Sequence, residues 1–100
     1  MQKPSGLGIW SRTNVMDKQE LVDLAKNVER LGYQTLWYPE SLSYEALSVA
    51  GYLLSHTEKL IVASGIANIY ARDAVTAAQG HDSLNRLYDN RFLMGLGVSH

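Results

Sequence analysis

Apolar positions along this chain alternate between two rhythms: short, nearly continuous runs, and longer stretches at helical spacing. Leu7-Gly8-Ile9-Trp10 is the first short run and reads as a strand. Asp17 then stands where a helix N-cap belongs, and Glu20, three residues on, completes a capping-box signature. Leu21, Leu24, Ala25, Val28 and Leu31 follow on one helical face, and Gly32 takes the position past a helix end that favours positive φ. Thr35-Leu36-Trp37-Tyr38 reads as a second strand that Pro39 ends, because proline has no N–H for a ladder.

The same alternation continues. Ser43 is a candidate cap for a second helix with Ala46, Leu47, Ala50, Leu53 and Leu54 inward. Leu60-Ile61-Val62-Ala63 is almost wholly apolar, as in a strand covered on both faces, and Ser64-Gly65 breaks it. Asp73 can cap a third helix carrying Ala74, Ala77, Ala78, Leu84 and Tyr88 inward, Asp89-Asn90 supplies a turn, and residues 92–98 form a fourth strand. The order βαβαβαβ predicts an α/β fold of four parallel strands with three helices, either an open doubly wound sheet or part of a TIM (β/α)8 barrel.

Three helices cover one side of four strands, which leaves the other face and two sheet edges open. A complete barrel takes eight βα units in about 250 residues. The 100 residues therefore read as one partial domain, a truncated barrel; the alternative is a small self-sufficient α/β domain. In a barrel the site lies at the C-terminal strand ends. That rim would gather Trp10, Ser11 and Arg12 from the first strand and Glu40 and Ser41 from the second. Ser64, Gly65, Ile66 and Asn68 would come from the third, and Ser99 and His100 from the fourth.

Composition narrows the chemistry. The net charge is −1, Lys and Arg are scattered, and neither a nucleic-acid footprint nor a basic membrane-binding stripe is present. No cysteine is available for a disulfide or a thiolate metal site, which fits a reducing cytoplasm. No signal-peptide pattern or run of about 20 apolar residues occurs, so a cytoplasmic protein is expected. No spacing of His, Asp and Glu makes a metal triad, and Gly95-Leu96-Gly97 lacks the strand–turn–helix context of a dinucleotide fingerprint.

Glu40 is a candidate general acid or base, or an acceptor for a cofactor N–H; otherwise it is a solvated loop carboxylate. His100 is a candidate proton carrier because imidazole titrates near neutrality. His81 reads as a packing residue on the inner half of its helix, and His56 as a partner for a helix C-terminus. Trp10 and Trp37 read as core residues, with Trp10 also placed to wall a flat ring.

Three segments are similar to the luciferase-like monooxygenase family: residues 36–40 (LWYPE), 62–73 (VASGIANIYARD) and 91–100 (RFLMGLGVSH). The pattern most resembles the branch that uses the deazaflavin coenzyme F420. The resemblance implies the N-terminal half of a TIM barrel, with further strands beyond His100. It also implies hydride transfer between F420 and a small organic substrate, with an FMN- and oxygen-dependent monooxygenase as the alternative. By position it places a non-proline cis peptide at Gly65–Ile66 behind the cofactor ring, with Asn68 near the ring's edge and Trp10, Ser64 and Ser99 nearby. Relatives often carry histidine or aspartate after the second strand, where this chain has Glu40-Ser41. The family's phosphate contacts come from later loops, so the piece by itself is expected to be inactive. The alternative of a different class is a non-catalytic half-barrel that pairs with a partner or a second copy.

Overall fold

Residues 6–98, which the computed structural model describes, alternate strand and helix along the chain. The elements are β1 (Gly8–Trp10), α1 (Lys18–Arg30), β2 (Thr35–Tyr38), α2 (Ala46–Ser55), β3 (Ile61–Asn68), α3 (Ala74–Leu87) and β4 (Phe92–Gly97), with a single 3-10 turn at Thr13–Val15. The strands form one parallel sheet in the order β1-β2-β3-β4. This is the expected α/β arrangement.

Side-chain direction alternates along a strand, so register decides which residues share a face. Ile9, Leu36, Val62 and Phe92 stand side by side across the four strands. Leu36, Val62 and Phe92 belong to the core that also takes Leu21, Ala25 and Val28 from α1 and Ala46, Ala50 and Leu53 from α2, and the partly buried Ile9 packs against it. Each fully buried leucine in that layer contributes about 1.5–3 kcal/mol relative to exposure. The neighbouring row, Trp10, Trp37, Ala63 and Leu93, therefore points to the opposite face.

α1 begins where its sequence says it should. The Asp17 carboxylate accepts from Glu20 N at 2.8 Å and the Glu20 carboxylate accepts from Asp17 N at 3.1 Å, a complete capping box. Gly32 takes φ 89°. Leu31 is the exception to the expected stripe: it sits at the C-cap and is exposed, while Val22 is buried in its place.

Three further expectations are corrected. α2 is capped by Glu45 rather than Ser43, because the Glu45 carboxylate accepts from Leu47 N and Ser48 N, both at 2.9 Å. β3 does not break at Ser64-Gly65; it continues to Asn68 through a bulge, where the register with β4 skips between Ser64 and Ala67. α3 buries only Asn85 among its described residues, and Ala74 and Ala78 face outward. Asp73 caps α3 as expected, accepting from Thr76 N at 2.8 Å.

At the far end of the sheet, away from the rim, the Glu29 carboxylate accepts from the main-chain N–H of Glu58, Lys59 and Leu60, just before β3. Burial pushes this carboxyl up, but the three amide donors and the nearby Arg91 charge together hold it below the ordinary glutamate range. A carboxylate depressed on folding contributes stability that is complete above its unfolded pKa of about 4.3 and is lost as pH falls through the lower folded value. The melting temperature should hold level from about pH 8 to 5 on account of this group and fall below about pH 4. Glu29→Gln should make that fall shallower; melts by circular dichroism across pH check it, and an unchanged acid slope would assign the loss elsewhere.

No helix among the described residues is long and apolar enough to cross a membrane.

Candidate functional site

Because all four strands are parallel, their C-terminal ends share one rim. Trp10, Glu40, the Ser64–Asn68 bulge and Gly97 meet there. Ser99 and His100 lie outside the described residues.

Two indoles dominate the face turned away from the helices. Trp37 lies across β1 at Gly8, where a Cβ would come within 2.9 Å of the indole nitrogen. A Cβ on Gly65 would meet Trp37 at 3.3 Å and Trp10 at 3.7 Å, so the two rings flank that glycine. Trp10 is 53% exposed and Trp37 is half-buried. Neither sits in the core beneath the helices, contrary to the default reading of tryptophan.

Several polar groups of the bulge are held from neighbouring strands. The Trp10 indole N–H donates to the Gly65 carbonyl at 3.0 Å, reaching across β2 from β1. Glu40 N–H donates to the Ile66 carbonyl at 3.1 Å. The Ser64 hydroxyl donates to Gly95 O and accepts from Gly95 N, both at 2.9 Å. The Gly65–Ile66 peptide bond is cis, at the place the family resemblance indicated. The Ile66 side chain is partly exposed and leans over Gly97, where a Cβ would fall 2.3 Å from its tip.

This geometry explains the glycine pair of β4. Gly95 and Gly97 point to the same face, and a Cβ on Gly95 would stand 2.4 Å from the Ser64 carbonyl oxygen. Glycine is needed at Gly95 for the bulge to lie against its neighbour, because the atom it would meet is main chain; at Gly97 the Ile66 side chain would have to turn aside. The sequence signal was present, two glycines at strand period, but it carries meaning only beside a bulge on the adjacent strand.

Glu40 is held on both carboxylate oxygens by donors from three other segments. Its Oε1 accepts from Asn68 N at 2.8 Å and Arg72 Nη1 at 3.3 Å. Its Oε2 accepts from Ala46 N at 2.9 Å and from Arg72 Nη2 in a short ion pair. Burial pushes the Glu40 carboxyl up, yet the Arg72 hydrogen bond and charge and the two amides outweigh it and hold it below the usual range. A carboxylate so held stays ionised at neutral pH, and the acceptor positions of its two oxygens are already taken by four donors of this chain. Arg72, which the rim expectation missed, is as enclosed as Glu40, and its second partner is Glu45 at 2.9 Å.

Asn68 turns its Oδ1 to Tyr70 N at 2.9 Å. An open hollow of about 600 Å³ lies beside it, lined by Ser41, Leu42, Glu45, Arg72 and Thr76 among others. Ser64 is fully buried with its hydroxyl spent on Gly95, so it supports the bulge from behind. The other histidines stand apart: His81 pairs with Asn85 at 3.1 Å and tilts against Phe92, and His56 meets the Tyr52 ring at the end of α2.

Comparison with known proteins places this geometry. A protein of Bacillus subtilis (strain 168), named "Uncharacterized protein YddN", is 29% identical over 82 residues, covering 76% of this chain and 24% of that one. Among solved structures, coenzyme F420-dependent tetrahydromethanopterin reductase from Methanopyrus kandleri superposes with a TM-score of 0.85 at 22% identity, over 95% of this chain and 27% of that one. Apo-MsnO8 superposes with a TM-score of 0.82 at 20% identity, over 94% and 32% respectively. At those identities the superpositions show the fold: β1 to β4 form an arc of the barrel these proteins share. The chain spans about a quarter to a third of the relatives it matches. The sequence pattern of the luciferase-like monooxygenases matches residues 3–100, and with the same strand order and rim in the structure, the chain belongs to that family.

Proposed function

We propose that this chain supplies one wall of a cofactor site in an oxidoreductase that moves hydride between coenzyme F420 and a small organic substrate. The observation that carries the reading is the Gly65–Ile66 segment, framed by two tryptophans and held at both carbonyls. A flat tricyclic ring needs a smooth, rigid backing without protruding polar groups. The glycine, the partly exposed Ile66 side chain and the exposed edge of Trp10 fit that need. Gly65 and Ile66 would back the ring, Trp10 would wall one side, and Asn68 would stand at its edge. When bound, the deazaflavin supplies the hydride-carrying centre, and the protein's share is orientation and exclusion of water. One structural neighbour is an F420-dependent reductase, which makes F420 the first cofactor to test and FMN the second.

In this reading Ser64 acts through the bulge, Ser99 contacts cofactor and His100 carries a proton. The remaining walls come from strands set against the open edges of β1 and β4, from further chain or a second copy. Without them the piece binds cofactor weakly and does not turn over.

Trp10 and Trp37 are the only tryptophans of this sequence and both face the proposed site, so their emission reports on it. Titration of the protein with those strands in place, any tryptophan outside this sequence replaced by phenylalanine, should show saturable quenching by F420 with a Kd at least tenfold below that for FMN. Trp10→Phe should remove a large part of the signal. Tight FMN binding without F420 affinity would reverse the cofactor assignment, and a folded protein quenched by neither would end the proposal.

A further inference from the structure

We infer that Glu40 and Arg72 form a positioning clamp that sets where the Ser64–Asn68 bulge stands on the rim. The inference rests on the reading of the rim as a cofactor site, and its geometry is independent of which cofactor is used.

Three elements meet at one carboxylate. Glu40 follows β2, and its two oxygens take the first N–H of α2, at Ala46, and the last N–H of β3, at Asn68. Arg72, on the β3–α3 loop, closes the arrangement with both terminal nitrogens on that carboxylate and a further bond from Nη1 to the Asn68 carbonyl at 3.4 Å. The main chain of Glu40 holds the bulge from its other side, through Ile66 O at 3.1 Å. One residue thus grips the bulge at two points, and Arg72 locks the gripping side chain. A planar guanidinium fork against a carboxylate allows a single geometry, which a lysine ammonium does not enforce.

Energetics favour positioning over stabilisation. Both side chains are about one-tenth exposed. An ion pair so enclosed loses in desolvation much of what it gains in attraction, so its net worth to the fold is small compared with an apolar pair. What it does supply is direction: removal of the Glu40 carboxylate leaves the far side of the bulge tied to the end of β2 through the Glu40 N–Ile66 O bond, and removal of Arg72 leaves that carboxylate free to turn. Misplacement of a binding group by about 1 Å is enough to lose two orders of magnitude in a reaction that depends on alignment.

Glu40→Asp separates position from charge, because it keeps the carboxylate and withdraws it by one methylene. In the protein with the remaining walls of the site in place, Glu40→Asp and Glu40→Gln should each weaken F420 binding at least tenfold, and Arg72→Lys should weaken it about as much. Without cofactor, the Asn68 amide and Trp10 indole N–H resonances should shift in all three variants, while α1 amides keep their wild-type positions and exchange protection. If Glu40→Gln fails to fold, Glu40→Asp decides. Wild-type F420 affinity together with unmoved Asn68 and Trp10 resonances in Glu40→Asp would overturn the clamp. A wild-type protein that binds neither F420 nor FMN would sink the proposed function instead, and the resonances would still judge the clamp.

Discussion

Gly95→Ala is expected to lower stability by about 2–3 kcal/mol, the upper part of the usual overpacking range. The new Cβ would stand 2.4 Å from the Ser64 carbonyl oxygen, and a main-chain atom cannot turn aside as a side-chain tip does. Either β3 and β4 separate or the bulge shifts, and both also remove the Ser64–Gly95 pair of hydrogen bonds. For a domain of about this size the melting temperature should fall by roughly 10–20 °C. Gly51→Ala is the control with the opposite sign. It lies inside α2, where a Cβ meets only Leu84 at 3.7 Å, so alanine should add about 0.5–1 kcal/mol through helix propensity. Denaturant unfolding of the two variants tests the pair. Equal effects would mean that the bulge does not depend on close approach of β4.

Arg91→Met should be the more damaging change, at about 3–5 kcal/mol. Arg91 is buried, and its five N–H donors all find acceptors: Tyr88 O, Thr57 Oγ1, Leu60 O, Leu54 O and Thr57 O. Several of these are carbonyls at the end of α2, where the helix dipole favours a cation. Glu29 adds long-range attraction. Methionine would fill much of the volume but leave main-chain carbonyls buried without donors, which is why this case differs from exchanging a whole ion pair for apolar residues. Arg91→Lys keeps the charge with three donors in place of five and should lose roughly half as much. Unfolding midpoints in urea give both numbers. A methionine variant within about 1 kcal/mol of wild type would mean that water reaches these carbonyls.

Both residues show why the site was less legible than the fold. Arg91 reads in sequence as an ordinary charge before a strand, and nothing local marks it as the donor set for the end of α2. Glu40 appeared as a rim carboxylate open to chemistry. Its four hydrogen-bond donors come from Ala46, Asn68 and Arg72, none of them adjacent in sequence. Ser43 looked like the cap of α2, yet Glu45 takes the cap and the first helical N–H is drawn to Glu40. Ser64-Gly65 looked like a strand end because a glycine usually interrupts a ladder, whereas the paired glycines of β4 let β3 run on through its bulge.

The sequence by itself determined the elements and their order. Helix and strand periods, the Asp17–Glu20 capping box, Gly32 at positive φ and the Asp73 cap are all written within a few residues of where they act. Such features depend on side-chain direction and local hydrogen bonds, which neighbouring residues settle among themselves. Only the tertiary structure decided the site. The Trp10–Gly65 bond joins residues 55 apart, and the Glu40–Asn68 bond joins residues 28 apart. Whether a carboxylate is a base or a brace, and whether an indole is core or wall, depends on which distant groups the parallel register brings beside it.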